Sequence, residues 1–409
     1  MKIMINPKIK FVRINILLAI IFGASSVFSQ TINTSYATVA NMVSQTNVTQ
    51  YLTDFEGLGV KTRGAVALTN TFNYLKAKYT AFGYSVAQIT EQSFTNGTFT
   101  NKNLIVTKTG TLYPNKYVIV CGHFDSIGGT GTNDNGSGVA CILEMARLLI
   151  NIPTEYSIKF INFSGEENGL IGSTAYVNNV VNATLPKMDI RLVFNIDGIG
   201  RPSTTTNQIV LCERDEDNTP TTNNAASNVF NNELMAYVGF YSSLIPQLSN
   251  ISASDYMPFE GNNEVAIGFY QSGPAAPYNH NSSDLLVNMD PVYNYQITKA
   301  AVGALLHFAV GIATVVSLPT TTTDPLIVQN VIEPFSIYPN PVEDVVAIKT
   351  KANNVFDIKI YSNIGKLMKQ LVSTIYTSVS IKEFVSGTYI FVLTNRRTKQ
   401  RFTKQIIKQ

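Results

Sequence analysis

The chain of 409 residues has no tryptophan, only three cysteines and three histidines, and 14% charged residues. Each scarcity excludes something. Cysteines at 121, 141 and 212 are too few and too irregularly spaced for a disulfide framework or a cysteine zinc site. Cys121 ends a strand-like run and Cys141 lies on the apolar face of a helical one, so both read as small buried residues. The net charge is +3, its positive excess sits at the two ends, and the middle is acidic. With no basic block, nothing offers a nucleic acid its usual footprint.

No run after residue 29 is long and apolar enough to span a bilayer. Before it, Lys8, Lys10 and Arg13 precede the apolar run Ile14 to Phe22 and the small residues that end at Ser29. That pattern reads as a signal peptide over residues 1–29, removed near Ser29 and Gln30, so the mature protein leaves the cytoplasm with no stable membrane span.

At 45% hydrophobic residues the composition is that of a globular protein with more than one domain. Residues 36–83 carry apolar positions at helical spacing, with a break at Thr62 and Arg63. From about residue 100 the pattern becomes strand, helix, strand: 103–108, 117–121, 157–163 and 192–196 as strands, 137–149 as a helix, with further helices at 221–245 and 293–310. Such alternation predicts an α/β domain over residues 30–315, a mixed, largely parallel central sheet flanked by helices. Residues 316–333, which include SLPTTTTD, read as a linker. Alternating strands in residues 334–409 predict a small all-β sandwich.

The chemistry sits where strands stop. Tyr117 to Cys121 runs into GHFDS, placing His123 and Asp125 at a strand's C-terminal end, and Leu192 to Ile196 runs into Asp197. Ser157 to Phe163 runs into SGEENG, with Glu166 and Glu167 side by side. In open α/β sheets that edge is where ligands bind. The glycine-rich turn 131–138 presents Asp134 and lacks the Lys-Ser/Thr of a phosphate loop. His280 lies in the loop YNHNSSD, whereas His307 reads as an ordinary helix residue. Two imidazoles and several carboxylates suit a pair of zinc ions. His123, Asp134, Glu167, Asp197 and His280 supply five ligands, and Glu166 is left over as a general base. Divalent cations would offset the repulsion within the Glu166–Glu167 pair. Asp125 is expected to accept the second ring N–H of His123 and fix its tautomer.

Together these residues resemble the co-catalytic di-zinc aminopeptidase family, which includes secreted bacterial leucyl-type aminopeptidases, glutamate carboxypeptidase and glutaminyl cyclases. The resemblance covers roughly residues 40–312, through GHFDS, NDNGSGV, FSGEENGLIGS, NIDGIG, SDYMPF and YNHNSSD. It implies a zinc exopeptidase-like fold and two Zn2+ ions, one on His123 and Asp197, the other on Glu167 and His280, bridged by Asp134. It also implies a cis peptide between Asp134 and Asn135, and hydrolysis of N-terminal peptide bonds of peptides or proteins with Glu166 as the base. Tyr256 departs from the family, where many relatives have His, and is expected to alter substrate contacts. Ile199, Tyr256, Phe259, Phe269 and Tyr278 are candidate pocket walls. A glutaminyl-peptide cyclotransferase stays open as the nearest alternative, disfavoured by the absence of tryptophan. A metallocarboxypeptidase also stays open through Arg201, as does a non-catalytic module. Residues 334–409 resemble a type IX secretion sorting domain through YPNP, YSNIG and a basic end, implying the type IX machinery as partner and a secreted or cell-surface location via the periplasm.

Overall fold

In a computed structural model, the described residues are 32–202, 208–216, 218–275, 277–311, 335–339, 341–350, 355–362, 367–373, 376–397 and 401–409. The expected signal peptide and linker lie outside them.

Three helices come first: α1 (Thr34–Ala40), α2 (Gln45–Gly57) and α3 (Val66–Phe82). Asn33 and Ser44 cap α1 and α2 with their side chains, and α3 stops at Gly83, which takes a left-handed conformation. Then follow β1 (Ile89–Asn96), β2 (Phe99–Lys108), β3 (Tyr113–His123), α4 (Gly136–Leu149), β4 (Tyr156–Phe163), α5 (Ile171–Tyr176), β5 (Asp189–Ile196) and β6 (Ile209–Arg214). After these come α6 (Asn224–Tyr241), β7 (Ile245–Asn250), α7 (Met257–Glu260), β8 (Ala266–Gln271) and α8 (Pro291–Phe308).

The eight strands form one mixed sheet in the order β1-β2-β4-β3-β5-β8-β6-β7. Its centre, β4-β3-β5-β8, is parallel. Central strands are apolar on both faces because helices cover both. On β3, Val118 and Val120 join the core that contains α4 and α8, while Ile119 and Cys121 join the opposite core with Tyr176 and Phe259. α4 is apolar nearly all round and is buried almost throughout, as expected of a helix held between a sheet and other helices.

Two registers matter for function. His123 pairs with Phe163 across β3 and β4, and Cys121 with Asn195 across β3 and β5. The C-terminal ends of three neighbouring strands therefore finish at one edge. The α4 N-terminus enters the same edge, and glycine allows the fit: a Cβ at Gly138 would stand 2.4 Å from Ile196 O.

Past residue 334 the strands are β9 (Phe335–Tyr338), β10 (Val345–Thr350), β11 (Phe356–Ser362), β12 (Leu367–Val372), β13 (Tyr376–Ser380), β14 (Gly387–Asn395) and β15 (Arg401–Lys408). They form two antiparallel sheets, β13-β10-β9 and β12-β11-β14-β15. Val346 and Ile348 from one sheet and Ile358, Ile360, Phe391 and Leu393 from the other share one apolar cluster, the layered arrangement of a sandwich.

Candidate metal centre

His123 is the last residue of β3, Glu166 and Glu167 lie in the turn after β4, and Asp197 directly follows β5. Asp134 stands in the turn before α4, and its peptide bond to Asn135 is cis. His123 Nε2 is 3.2 Å from Asp134 Oδ1 and 3.5 Å from Asp197 Oδ1. His280 Nε2 is 3.3 Å from the other Asp134 oxygen, Oδ2, and 2.9 Å from Glu167 Oε2. His123, Asp134 and Asp197 thus form one group with metal-ligand spacing, Asp134, Glu167 and His280 a second, and His123, Glu166 and Glu167 a third. Asp134 belongs to the first two. Glu166 Oε2 is 3.9 Å from His123 Nε2. Imidazole and carboxylate donors converging in this way are a set that fits zinc.

So many carboxyls in one pocket disturb each other's protons. Burial, then the charge of Asp255, pushes Glu166 up to about 9 against the opposing pull of His123, and burial pushes Glu167 up to about 8. Asp134 is buried too, yet hydrogen bonds from both imidazoles hold its carboxyl far below the usual range. His123 is raised well above its ordinary value: burial works against its charge, and Glu166 and Asp197 outweigh burial. Without a cation the crowded carboxyls hold protons instead, protons that a bound cation would displace.

Asp125 departs from the expected contact. Its carboxylate is 3.7 Å from His123 Nδ1, and the close partner of that nitrogen is the Asp125 main-chain oxygen at 3.2 Å. The carboxylate instead accepts the main-chain N–H groups of Glu166 at 3.2 Å and Glu167 at 3.3 Å. Two peptide donors in a buried turn compete better for it than one ring nitrogen, so Asp125 positions the glutamate pair.

Other supports carry no ligand-like signal in the sequence. Asn135 donates to Ile196 O and accepts from the N–H groups of Gly138 and Gly198, joining the Asp134 turn to the Asp197 strand. Ser254 Oγ donates to Asp197 Oδ2 at 2.6 Å, and Asn279 Nδ2 donates to Asp134 Oδ2 at 2.9 Å. Both lie inside the stretches SDYMPF and YNHNSSD, in which the sequence points instead to Tyr256, Phe259, Tyr278 and His280. Asp284 accepts the N–H groups of Asn133 and Asp134 and pairs with Arg201 at 2.7 Å. From below, Glu56 Oε2 of α2 accepts from Leu286 N–H at 2.6 Å and Thr132 Oγ1 at 3.0 Å. Buried Lys61 donates to Gly59 O and Thr130 O, both at 2.7 Å.

The model of Peptidase family M28 matches residues 103–304, and that of the Secretion system C-terminal sorting domain matches residues 336–409. The chain carries a peptidase family M28 domain. Its sorting domain marks the protein as secreted or cell-surface, and no helix among the described residues is long and apolar enough to cross a membrane. The M28 domain is similar to the aminopeptidase YwaD of Bacillus subtilis, 39% identical over 111 residues, which are 27% of this chain and 24% of that protein. The aligned stretch thus spans about a quarter of that relative. In fold it is similar to the Legionella pneumophila LapA aminopeptidase, with TM-score 0.59, 21% identity and coverage of 70% of this chain and 76% of that one. It is also similar to the Macrostomum lignano glutaminyl cyclase, with TM-score 0.58, 15% identity and coverage of 69% and 94%.

A cavity of about 520 Å³ opens over the centre of the M28 domain, walled by Leu170, Ser252, Ala253, Tyr270, Ala275 and Asn279 beside the metal-type residues. The expected walls are elsewhere. Ile199, Tyr256, Phe259 and Phe269 are 0–1% exposed and packed in the core, because large apolar side chains beside a sheet gain more by burial than by lining a wet cleft. Tyr256 donates to Glu213 Oε2 at 2.8 Å and accepts from Ser252 N–H, so its departure from the family pattern serves the core. Tyr278 lies under the Arg201 guanidinium, 4.6 Å from its ring centre.

His307 behaves as expected of a helix residue: it stacks on Tyr237 with ring centres 4.1 Å apart, and its Nε2 is 2.7 Å from Tyr241 Oη. All three cysteines are buried and free.

Proposed function

We propose that this chain is a secreted zinc-dependent aminopeptidase that hydrolyses the N-terminal peptide bond of peptides or proteins. The observation that carries the reading is the pair of metal-type groups sharing Asp134, with Glu166 beside them. His123, Asp134 and Asp197 would hold one Zn2+, and Asp134, Glu167 and His280 the other. Zinc supplies Lewis acidity there, lowering the pKa of water and polarising a carbonyl.

The protein's own groups do the rest. Glu166, held by its main-chain N–H on Asp125, takes a proton from water and returns it to the leaving amine. Small walls at Ser252, Ala253 and Ala275 leave room for the substrate's first side chain. Arg201 is occupied by Asp284, Asn279 and the Asn288 carbonyl, which weighs against a carboxypeptidase that needs it for a substrate carboxylate. Residues 334–409 would engage the type IX secretion machinery.

The test uses the purified chain, its zinc content, and release of dye from aminoacyl anilides with free and blocked amino ends, with Glu166→Ala alongside. Two zincs, activity on free ends alone and a loss of several orders of magnitude in the variant are expected. Cyclisation of N-terminal glutamine with one zinc would move the protein to the cyclase reading. A metal-free, folded protein would refute the ligand assignment.

A further inference from the structure

Arg201 follows Asp197 by four residues and is 3% exposed, a buried cation that the hydrolysis above leaves without a task. Its main chain is fixed to the turn that carries Asp134. Gly200 N–H donates to Asn133 Oδ1 at 2.8 Å, and Arg201 N–H donates at 3.0 Å to Gln271 Oε1, which also accepts from Asn133 Nδ2 at 3.0 Å. The side chain therefore sets out from a fixed point.

From there the guanidinium forks. Nη1 donates to Asn279 Oδ1 at 2.8 Å, Nη2 to Asp284 Oδ1 at 2.7 Å and Nε to Asn288 O at 3.3 Å. The first two acceptors are bound at the same time to Asp134 or its main chain. Asn279 Nδ2 donates to Asp134 Oδ2 at 2.9 Å. Asp284 takes the N–H of Asn133 on Oδ1 at 2.8 Å and that of Asp134 on Oδ2 at 3.0 Å. Asp134 is thus held at its carboxylate and at its peptide nitrogen, and both holds lead back to one guanidinium.

An amide side chain can turn either its oxygen or its nitrogen to a neighbour. An ionised carboxylate only accepts and a guanidinium only donates. Asn279, standing between the two, has one orientation that satisfies both: oxygen to Arg201, nitrogen to Asp134. Asp284 is 1% exposed, and a carboxylate so buried needs a paired charge. Arg201 supplies that charge, which leaves Asp284 an acceptor for both N–H groups at once. Lysine could bring the charge but has no rigid fork to hold two acceptors in fixed directions.

We propose that Arg201 is a positioning residue for the hydrolysis: through Asn279 and Asp284 it sets the direction in which Asp134 presents its two oxygens to the two metal groups. This role rests on Asp134 being the ligand common to both. It assigns the guanidinium to the protein itself rather than to a substrate.

Arg201→Lys, Asn279→Ala and the double variant are compared with the parent, all as the full chain, by zinc binding at buffered free metal, thermal unfolding of the chelated protein, and kcat and KM on an aminoacyl anilide. Because Asp134 belongs to both groups, Arg201→Lys is expected to weaken both zincs together by about 10- to 100-fold and to lower kcat by a similar factor. KM and the unfolding of the chelated protein should stay close to the parent's. Added to Asn279→Ala, the lysine should cost less than it costs alone, since one of its two routes is already cut. Parental zinc affinity in Arg201→Lys overturns the proposal, as does a loss confined to one zinc or a double variant whose losses multiply in full. If Arg201→Lys does not fold, Asn279→Ala decides by the same joint weakening of both zincs, and its absence overturns the proposal. A parent that binds no zinc removes the aminopeptidase reading and this role with it, whereas a two-zinc parent beside an indifferent Arg201→Lys removes this role alone.

Discussion

Gly129→Ala tests whether the His280 loop is held by close contact with the turn after β3. A Cβ at Gly129 would lie 1.9 Å from Asn281 O and 2.7 Å from its carbonyl carbon, where real Cβ atoms keep at least 3.0 Å. Both obstacles are backbone, so the two segments must part by about 1 Å or more. Gly129 is not among the residues with a left-handed backbone, which makes the effect one of space alone. Asn281 adjoins His280, whose Nε2 now stands 2.9 Å from Glu167 and 3.3 Å from Asp134. Ligand distances tolerate about 0.2 Å, so the displacement falls on the metal group that contains His280. The expected result is a 10- to 100-fold loss of zinc affinity at one of two sites. A drop in kcat/KM of about 100-fold and a stability cost of about 1–3 kcal/mol should accompany it. Zinc content at buffered free metal, anilide turnover and thermal unfolding read these out together. A folded variant that holds two zincs at parental affinity and turns over at the parental rate would refute the reasoning.

Removing the Asp125 carboxylate leaves the N–H groups of Glu166 and Glu167 without acceptors, so Asp125→Ala should lose about 10- to 100-fold in activity and zinc affinity, with Asp125→Asn, which keeps one acceptor, in between. His307 gives a pH signature remote from the metals: burial holds its imidazole down at about 4, below the roughly 6.5 of an unfolded chain. The unfolded state therefore takes up the proton first, and stability that is complete above about pH 6.5 falls as pH drops to about 4, by about 1–2 kcal/mol once water screening of the partly exposed ring is allowed for. His307→Gln should flatten that part of the stability curve; denaturant midpoints across the window check it, and an unchanged slope would sink the idea.

The legible part of the sequence was the part where two signals coincide. β3, β4 and β5 are apolar runs that stop at a ligand-type residue, so strand and chemistry announce each other. The edge strands had no such help. β1, ITEQSFTN, is mostly polar, and β7, IPQLSN, contains a proline, composition that fits an edge and reads as loop. β6, IVLCER, turns charged at its end, and β8, AIGFYQ, carries a glycine inside it, both of which weaken a strand signal. The apolar character of Phe259 and Phe269 fits a core as well as a pocket wall, whereas the cleft is lined by Ser252, Ala253 and Ala275, small residues on loops without periodicity. The Asp125 contact failed for another reason: spacing puts it beside His123, but only the turn after β4 reveals the peptide donors that claim it.

Glu56 and Lys61 lie upstream of the stretch that matches the M28 model, yet they prop Thr132, Leu286 and Thr130 in the two loops that flank His280 and Asp134. A fragment trimmed to residues 103–304 would keep every proposed ligand and lose these struts. A unit that keeps both struts has to begin ahead of residue 56, outside the stretch that the family resemblance covers.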